Sequence, residues 1–370
     1  MEYLFILGRN VELSKAEVFS YFEKEGIKIL NHETNENSLL IETPEELPEN
    51  SIRFFGGVVA IGKVVASGNL KKVLAQISNF NLYMGTENKL NYAVWNFSKN
   101  YDAVIETLKE KFRSEKLKAT LKHLTGEIKL QSGKKAEMPS SKLIDEEYFV
   151  FSDGATENFG RIVGKCDYEK IEKRDMTKPV RRESLAISPR LSKILINLSG
   201  VREGETLLDP FCGVGTILTE ALLQNIKVIG IDKDKNAVSG ARQNLEWKKF
   251  PKENYELINS DSTKEQIKTA NGIATEPDLG ETLKKIPQKS EAEKTLEKFE
   301  NLIIRVLNNF KEKISGRIAF TSPYIRIGKK KLKCDVEKIL EKTGYKLIYE
   351  IPEYRENQIV GRIICVLEKN

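Results

Sequence analysis

The sequence predicts an α/β protein in which smaller α+β units precede a mostly parallel β-sheet covered by helices. From Thr206 onward, short apolar strands alternate with helical segments, which is the order typical of parallel sheets. The last two strands have the pattern of an antiparallel pair. Over the first 165 residues, strands and amphipathic helices follow each other in a less regular order, which favours α+β domains.

The length of 370 residues fits two or three domains. We expect an N-terminal domain over 1–68, a second domain over 69–165, and a C-terminal domain over 189–370. Residues 166–188 are expected to form a linker, because the segment is poor in apolar residues and interrupted by proline.

Composition excludes several classes of protein. Hydrophobic residues make up 40% and charged residues 31%, so a sizeable core can be buried. Two histidines and four cysteines without a CxxC pair argue against a metal site. No run reaches the roughly 18 apolar residues of a membrane span. We therefore expect a soluble, cytoplasmic protein without a metal, and the net charge of +6 permits a polyanionic partner.

The predicted N-terminal domain opens with an apolar strand at 3–7. An amphipathic helix follows over 12–25, and Ser14 with Glu17 has the spacing of a capping box at its start. Further apolar strands are predicted at 38–42 and 57–65.

The second domain combines strands with a strongly basic helix at 102–113. Phe149 and Phe151 alternate with polar neighbours, as in a half-buried strand. The remaining predicted elements are a helix at 70–77 and strands at 92–97, 127–130, 148–152 and 161–164.

In the C-terminal domain, each predicted strand is a short apolar run and the helices lie between them. Strands are predicted at 206–209, 227–232, 255–260, 272–276, 317–321, 345–351 and 359–368, and helices at 189–198, 216–224, 234–246, 292–313 and 333–343.

The turn after the first strand of this domain is the most informative segment. The strand ends at Asp209, Gly213 and Gly215 follow, and a helix starts near Thr216. Glycines let a ligand approach the backbone, and the helix N-terminus adds a positive dipole. Since ligands of open parallel sheets bind at the carboxyl ends of the strands, this turn is a predicted ligand site.

Acidic residues also end the next two strands. Asp232 lies 23 positions after Asp209, close to the roughly 20-residue offset at which an acidic residue contacts ribose hydroxyls. Asp261 and Ser262 end the third strand, where a carboxylate could accept a hydrogen bond from an adenine amino group.

A glycine turn of this kind occurs in sites for two kinds of ligand, dinucleotides and S-adenosylmethionine. A dinucleotide requires a third glycine where Leu218 stands, and Asp209 would repel a pyrophosphate. S-adenosylmethionine carries an amino group and a sulfonium instead of phosphates, so nearby carboxylates favour it. A glycine turn without any ligand would not explain acidic residues at three successive strand ends.

Three segments resemble a known family. DPFCGVGTILTEA resembles the first motif of the THUMP-domain RNA methyltransferases. YLFILGRNVELSKAEV and the segment from KRDMTKPVRRESLAISPR onward resemble the opening and the domain junction of the archaeal-type tRNA guanosine-10 N2-methyltransferases. The resemblance covers the first 20 residues and most of 174–280, while the middle of the chain matches only in layout.

The resemblance implies a ferredoxin-like domain, a THUMP domain that docks the 3′ acceptor end of tRNA, and a seven-stranded Rossmann-like methyltransferase domain. It implies tRNA as partner, and leaves open a small activating subunit and the oligomeric state. It also implies S-adenosylmethionine contacts from Asp209, Phe211, Cys212, Gly213, Gly215 and Thr216 on the methionine side, from Asp232 and Lys233 at the ribose, and from Asp261 and Ser262 at the adenine.

The fourth strand departs from the family pattern. Amino-group methyltransferases of this kind carry D/N-P-P-Y/F there, in which the first side chain binds the target amine and the aromatic ring stacks on the base. Here the sequence is TEPDLG. Glu276 stands at the first position, Pro277 matches, Asp278 replaces the second proline and Leu279 replaces the aromatic residue.

This departure leaves three interpretations open: altered but active chemistry on an RNA amino group, a cofactor-binding RNA-binding paralogue with weak or no activity, or a DNA or protein amine as substrate. The segment Thr321–Tyr324 (TSPY) resembles the missing motif but follows the fifth strand. It is expected to be a strand-end turn, with Tyr324 able to reach over the pocket.

Basic clusters are candidates for phosphate contacts. Helical spacing places Lys109, Arg113 and Lys116 on one face. The linker adds cations that the family resemblance supports as RNA contacts, although a solvated lysine-rich surface is the alternative for any single cluster. These linker residues are Arg174, Lys178, Arg181 and Arg182.

Overall fold

The computed structural model describes residues 1–124, 126–138, 143–182, 187–278, 285–353 and 358–370. Its contacts divide the chain into two compact units. The first comprises Met1–Val11, Ile27–Arg53 and Gly57–Cys166, and the second comprises Glu12–Gly26, Phe54–Gly56 and Asp167–Asn370.

The N-terminal elements follow the predicted order, with additional short strands. They are β1 (Glu2–Leu7), α1 (Val11–Glu25), β2 (Asn31–Asn35), β3 (Ser38–Glu42), a 3₁₀ turn (Ser51–Phe54), β4 (Val58–Gly68), α2 (Leu70–Asn79), β5 (Lys89–Phe97), α3 (Tyr101–Ser114), β6 (Lys118–Leu121), β7 (Gly126–Lys129), β8 (Lys135–Met138), β9 (Glu146–Ser152) and β10 (Glu157–Lys165).

The two predicted N-terminal domains share one sheet. Its strand order is β2-β3-β1-β4-β10-β9-β5-β6, and β7 and β8 form a separate hairpin. Strand β4 pairs antiparallel with β10, with Ala66 opposite Phe159, so hydrogen bonds join residues from both sides of the expected boundary at 68/69. The helices α2 and α3 cover this sheet around Val73, Leu108 and Phe112.

The second unit contains the predicted alternation of strands and helices. Its elements are α4 (Tyr168–Met176), α5 (Pro189–Leu198), β11 (Thr206–Asp209), α6 (Thr216–Leu222), β12 (Lys227–Asp232), α7 (Lys235–Trp247), β13 (Tyr255–Asn259), β14 (Gly272–Thr275), α8 (Lys289–Phe310), β15 (Ile318–Ile327), β16 (Lys330–Lys333), α9 (Val336–Thr343), β17 (Tyr345–Glu353) and β18 (Val360–Lys369), with 3₁₀ turns at Lys252–Asn254 and Lys311–Lys313.

The sheet of this unit has the order β13-β12-β11-β14-β15-β18-β17, which is a Rossmann-like arrangement. Strands β11 to β15 run parallel, and β18 runs antiparallel to both β15 and β17. The antiparallel final pair is therefore confirmed. Because β11 to β14 point the same way, their carboxyl ends meet at one edge of the sheet, where a ligand site is expected.

The segment Thr321–Tyr324 lies inside β15, so the expectation of a strand-end turn is wrong. Thr275 at the end of β14 lies opposite Phe320, and β15 continues for several residues beyond that point. Pairing with β18 along this extension keeps it extended. The side chain of Tyr324 is 3% exposed and packs in the core, so it does not reach over the site.

Two local features differ from the sequence-based expectations. The segment expected to be a linker contains α4, whose N-cap Asp167 accepts a hydrogen bond from the Lys170 N–H. Helix α1 begins at Val11, three residues before the expected capping box at Ser14. None of the described helices is both long and apolar enough to cross a membrane.

Helix α1 precedes most of the first sheet in the chain but packs in the second unit. Leu13 and Ala16 belong to the same apolar cluster as Leu195 of α5. Glu17 is fully buried, and its Oε1 accepts hydrogen bonds from the Gly56 N–H at 2.7 Å and from Asn197 Nδ2 at 3.0 Å. The Glu17 carboxylate thus ties three segments together and is not a capping residue.

We expect Glu17→Ala to lower the free energy of unfolding by about 2–3 kcal/mol, because the Gly56 and Asn197 donors would lose their acceptor while staying buried. The matched control is Glu12→Ala in the same helix, where the side chain is 74% exposed and the change should stay within about 0.5 kcal/mol. Urea denaturation of both variants measures the difference. Equal losses would contradict this role of Glu17.

Candidate cofactor and acceptor site

A cavity of about 720 Å³ opens at the carboxyl ends of β11 to β14. This volume is in the range of small-molecule sites. Apart from Gly215, every residue predicted for the cofactor and for the acceptor lines it, namely Asp209, Phe211, Cys212, Gly213, Thr216, Asp232, Lys233, Asp261, Ser262, Glu276, Pro277 and Asp278. Gly215 instead caps α6, and a Cβ there would lie 3.2 Å from the Ala241 Cβ of α7.

The turn between β11 and α6 is shaped by its two glycines. Gly213 and Gly215 have φ values of +52° and +81°, a region that side chains disfavour. The Gly213 N–H donates to Asp232 Oδ2 at 2.9 Å, and the Cys212 N–H donates to the Ile231 carbonyl at 2.9 Å. These bonds hold the turn against the end of β12, so the first and second strand ends form one wall.

Asp209 is a buried carboxylate held by neutral donors. Its Oδ1 accepts from the Thr275 hydroxyl at 2.6 Å and from the Phe211 N–H at 3.2 Å. Burial raises the pKa of Asp209 from its ordinary 3.8 to about 7, and the nearby Asp232 and Glu276 add to the rise. Among the described residues no cation pairs with it, so Asp209 favours a positively charged ligand.

The carboxylates of Asp232 and Asp261 are oriented by backbone groups. Asp232 Oδ1 accepts from the Asp234 N–H at 2.8 Å. Asp261 is exposed, and hydrogen bonds from the Thr263 N–H and hydroxyl hold its pKa below the usual range. The Ser262 hydroxyl donates to the Pro210 carbonyl at 2.5 Å, which fixes the third strand end beside the glycine turn.

Glu276 leaves the end of β14 and forms an ion pair with Arg362 of β18. The Nε of Arg362 donates to Glu276 Oε1. Burial raises the pKa of Glu276, and the Arg362 guanidinium acts in the opposite direction. Pro277 is buried and Asp278 is exposed beside this pair. Leu279, which stands at the aromatic position of the family motif, lies outside the described residues.

Sequence reasoning missed several residues of the cavity wall. Arg362 is 86 positions from Glu276 and reaches it only because β18 returns beside β15. Arg182, which the sequence predicts as an RNA contact, also lines the cavity and pairs with Asp234. Other lining residues that were not predicted include Leu302, Arg305, Gln358 and Val360. No motif marks them, because they arrive from distant elements.

Two of the linker cations that are predicted RNA contacts have partners within the protein, and their assignment as RNA contacts stays a prediction. Arg174 forms a bidentate ion pair with the buried Glu220, with bonds of 2.7 and 2.8 Å from Nη2. Lys178 donates to Asp175 at 2.7 Å and to the Thr216 hydroxyl at 3.1 Å. These side chains hold the segment around α4 against α6. Arg181 is exposed, and Arg182 faces the cavity rim.

In the first unit, Lys109 and Arg113 lie on exposed positions of α3, and Lys109 pairs with Glu106 at 2.7 Å. Lys116 does not share their helix face, because α3 ends at Ser114 and Lys116 has a φ of +57°. The predicted basic surface is therefore too long, because helical spacing extends it to Lys116, beyond the end of α3. Among the described residues, no cluster of three or more His, Cys, Asp or Glu side chains could hold a metal ion.

The site fits S-adenosylmethionine better than a phosphate-bearing ligand. Three carboxylates follow successive strand ends, and the most buried of them lacks a cationic partner among the described residues. Phe211 is the aromatic residue among the described lining residues. Burial raises the pKa of the Cys212 thiol, so this cysteine stays protonated and packs in the turn.

Comparisons with known proteins agree with this geometry. The chain is 30% identical over 185 residues to a tRNA (guanine(10)-N2)-dimethyltransferase of Methanothermobacter thermautotrophicus, covering 50% of this chain and 49% of the relative. It is 30% identical over 206 residues to the enzyme of that name from Pyrococcus abyssi, covering 55% and 54%. The chain thus spans about half the length of the curated relatives it matches.

The crystal structure of TrmN from Thermus thermophilus has the same fold, with a TM-score of 0.53 and 14% identity over the whole of both chains. An RMKL-like methyltransferase domain model matches residues 179–309, and a DNA methylase model matches residues 48–243. Because the second model covers more than half of the chain and both include the glycine turn, the chain belongs to this family of S-adenosylmethionine-dependent methyltransferases.

Proposed function

We propose that this protein methylates the exocyclic N2 amine of a guanosine in tRNA. The observation that carries the proposal is the placement of Glu276 in the same cavity as the strand-end carboxylates Asp209, Asp232 and Asp261, which we call the cofactor half of the cavity. The names of the relatives support the choice of tRNA and of guanine N2. The proposed compartment is the cytoplasm.

The cofactor half has the donors and acceptors that S-adenosylmethionine requires. We assign the residues from Asp209 to Thr216 to its methionine part, Asp232 and Lys233 to its ribose, and Asp261 with Ser262 to its adenine. When bound, this cofactor supplies a methyl group activated by a sulfonium. The role of Asp209 is to offset positive charge on the ligand, and its burial strengthens that attraction.

The other end of the cavity, lined by Glu276, Pro277 and Asp278, is the acceptor half. It must hold a weak nucleophile, the guanine N2 amine. The lone pair of guanine N2 is delocalised into the ring, so the enzyme gains rate by fixing the amine in line with the methyl group. Glu276 accepts a hydrogen bond from the amine, and Pro277 shapes the backbone behind it. The Glu276 carboxylate would take up the proton that the amine loses when the methyl group is transferred to N2. Asp278 lies at the mouth of the cavity.

The RNA itself would be held by cations on the protein surface. We assign phosphate contacts to Lys109, Arg113 and Lys116 in the first unit and to Arg181 in the second, all of which are exposed. Extrusion of the target base from the stack would bring it into the cavity. The role of the first unit as a THUMP-type tRNA-docking module stays a prediction.

The first test is methyl transfer from radiolabelled S-adenosylmethionine to unmodified tRNA, followed by nucleoside mass spectrometry. We expect N2-methylated guanosine from the wild type, and a loss of about 100-fold in kcat/KM for Glu276→Ala. Glu293→Ala on α8 is the control, since that side chain is exposed outside the cavity and activity should be unchanged. Binding of tRNA without any transfer would overturn the proposal in favour of a non-catalytic RNA-binding protein.

The burial of Asp209 has a measurable consequence for stability. The folded state binds a proton at Asp209 up to about pH 7 and the unfolded state only up to about pH 3.8, so wild-type stability falls as pH rises between these values. Relative to Asp209→Asn, we expect the wild type to lose about 2–3 kcal/mol between pH 5 and pH 8.

Urea denaturation at both pH values measures this difference. The control is Asp261→Asn, because the pKa of Asp261 is lowered and this group is ionised in both states throughout that range. Its unfolding free energy should parallel that of the wild type from pH 5 to pH 8. Parallel curves for Asp209→Asn and the wild type would contradict the raised pKa of Asp209.

A further inference from the structure

The ion pair between Glu276 and Arg362 forms part of the wall at the acceptor end of the cavity. Arg362 lies on β18 opposite Pro323 of β15, and its side chain reaches back to the end of β14. The Glu276 side chain is 8% exposed and the Arg362 side chain is 31% exposed. Both line the cavity, so the pair is accessible to a ligand there.

Much of the hydrogen-bonding capacity of this pair is unused. Among the described residues, the single bond between them joins Arg362 Nε to Glu276 Oε1. No described residue donates to Glu276 Oε2 or accepts from the two Nη groups of Arg362. Each carboxylate oxygen carries two lone pairs, so Oε1 can accept a second bond. The pair therefore offers an acceptor, a second acceptor and a donor side by side.

This pattern is complementary to the Watson–Crick edge of guanine. That edge presents the N2 amine and the N1–H as adjacent donors, followed by the O6 acceptor. Cytosine binds guanine through the opposite order of acceptor, acceptor and donor. Adenine and cytosine place an unprotonated ring nitrogen beside their amine, which would face a carboxylate oxygen. Recognition of an extruded base through its Watson–Crick edge is usual for enzymes that act on bases.

We infer that Glu276 and Arg362 together form a cytosine-like edge that selects guanine and presents its N2 amine to the methyl donor. Oε2 of Glu276 accepts from the amine, Oε1 accepts from N1–H, and an Arg362 Nη donates to O6. The inference rests on the proposed function and adds Arg362 as its specificity-determining residue.

Electrostatics gives Arg362 a second effect on the same edge. A protonated carboxyl group would present a donor to the guanine donors, so Glu276 must be ionised to accept from them. Burial raises the pKa of Glu276 and Arg362 opposes that rise. Among the described residues, Arg362 of β18 is the charged group that acts on Glu276, and Glu276 in turn raises the pKa of Asp209 of β11. Loss of Arg362 should therefore shift the acid limb of the pH–activity profile to higher pH.

The experiment compares two tRNA substrates that differ at one position, which the methyl-transfer assay identifies. One carries guanosine there and the other carries 2-aminopurine riboside, which keeps the N2 amine but lacks the N1–H and O6. The wild type should prefer guanosine by at least about tenfold in kcat/KM. Arg362→Met should reduce that preference by about threefold or more, because the donor to O6 is removed while Glu276 still accepts from N1–H.

Two further variants separate recognition from folding. Arg362→Lys keeps a positive charge beside Glu276, but one ammonium cannot reproduce the fork of donors, so the preference should also fall. Lys333→Met is the matched control, because Lys333 pairs with Glu350 at 2.7 and 2.9 Å outside the cavity and the preference should match the wild type. The inference is supported if the preference for guanosine falls in both Arg362 variants and does not fall in Lys333→Met.

The contrary outcomes are distinct. If the Arg362 variants lower turnover on both substrates equally and leave the preference and the acid limb unchanged, the pair serves only to join β14 to β18 and the inference is overturned. Equal turnover of the two substrates by the wild type overturns it as well, while methyl transfer to tRNA still stands. A wild type that transfers methyl to neither substrate overturns the proposed function itself.

Discussion

Carboxylates fixed at the carboxyl ends of neighbouring parallel strands are the constraint on which the site depends. Asp209 is held by a hydroxyl and a backbone N–H, and Asp232 by backbone N–H groups from the glycine turn and from its own loop. Since the described residues supply no cation to Asp209, the cost of burying its charge is not offset within the protein. A cationic ligand would offset it, so this wall of the cavity favours a sulfonium compound over a pyrophosphate.

The carboxylates in the two halves of the cavity differ in whether a cation of the protein compensates their charge. In the cofactor half, neutral donors orient the carboxylates and leave their charge available. In the acceptor half, Arg362 compensates Glu276 and leaves one carboxylate oxygen and two guanidinium nitrogens without partners among the described residues. This division suits a cationic donor on one side and a neutral base on the other. At the position that the sequence resemblance assigns to an aspartate or asparagine, this chain has a longer side chain, Glu276, which Arg362 holds in place.

Much of the second unit could be predicted from the sequence. Strands β11 and β12 match their predicted bounds, because each is a short apolar run between strong turn signals. The cofactor turn was identified from Gly213, Gly215 and the acids that follow successive strands, all of which are local patterns. The basic surface near Lys116 was overestimated, because the period of a helix does not show where the helix ends.

Contacts between distant segments could not be predicted. The sequence predicts Arg174 to be a surface cation, but in the structure α4 places it against the buried Glu220. The sequence predicts Glu17 to be a capping residue, but in the structure α1 packs so that Glu17 accepts a hydrogen bond from Asn197. Arg362 carries no motif, and TSPY resembles one although β18 holds it in a strand. The central claim is that the strand-end carboxylates bind S-adenosylmethionine, and titration calorimetry with this cofactor tests it most directly. The wild type should bind the cofactor, and Asp232→Ala should lose at least about tenfold in affinity. A wild type that gives no binding heat, or an Asp232→Ala variant of unchanged affinity, would contradict it.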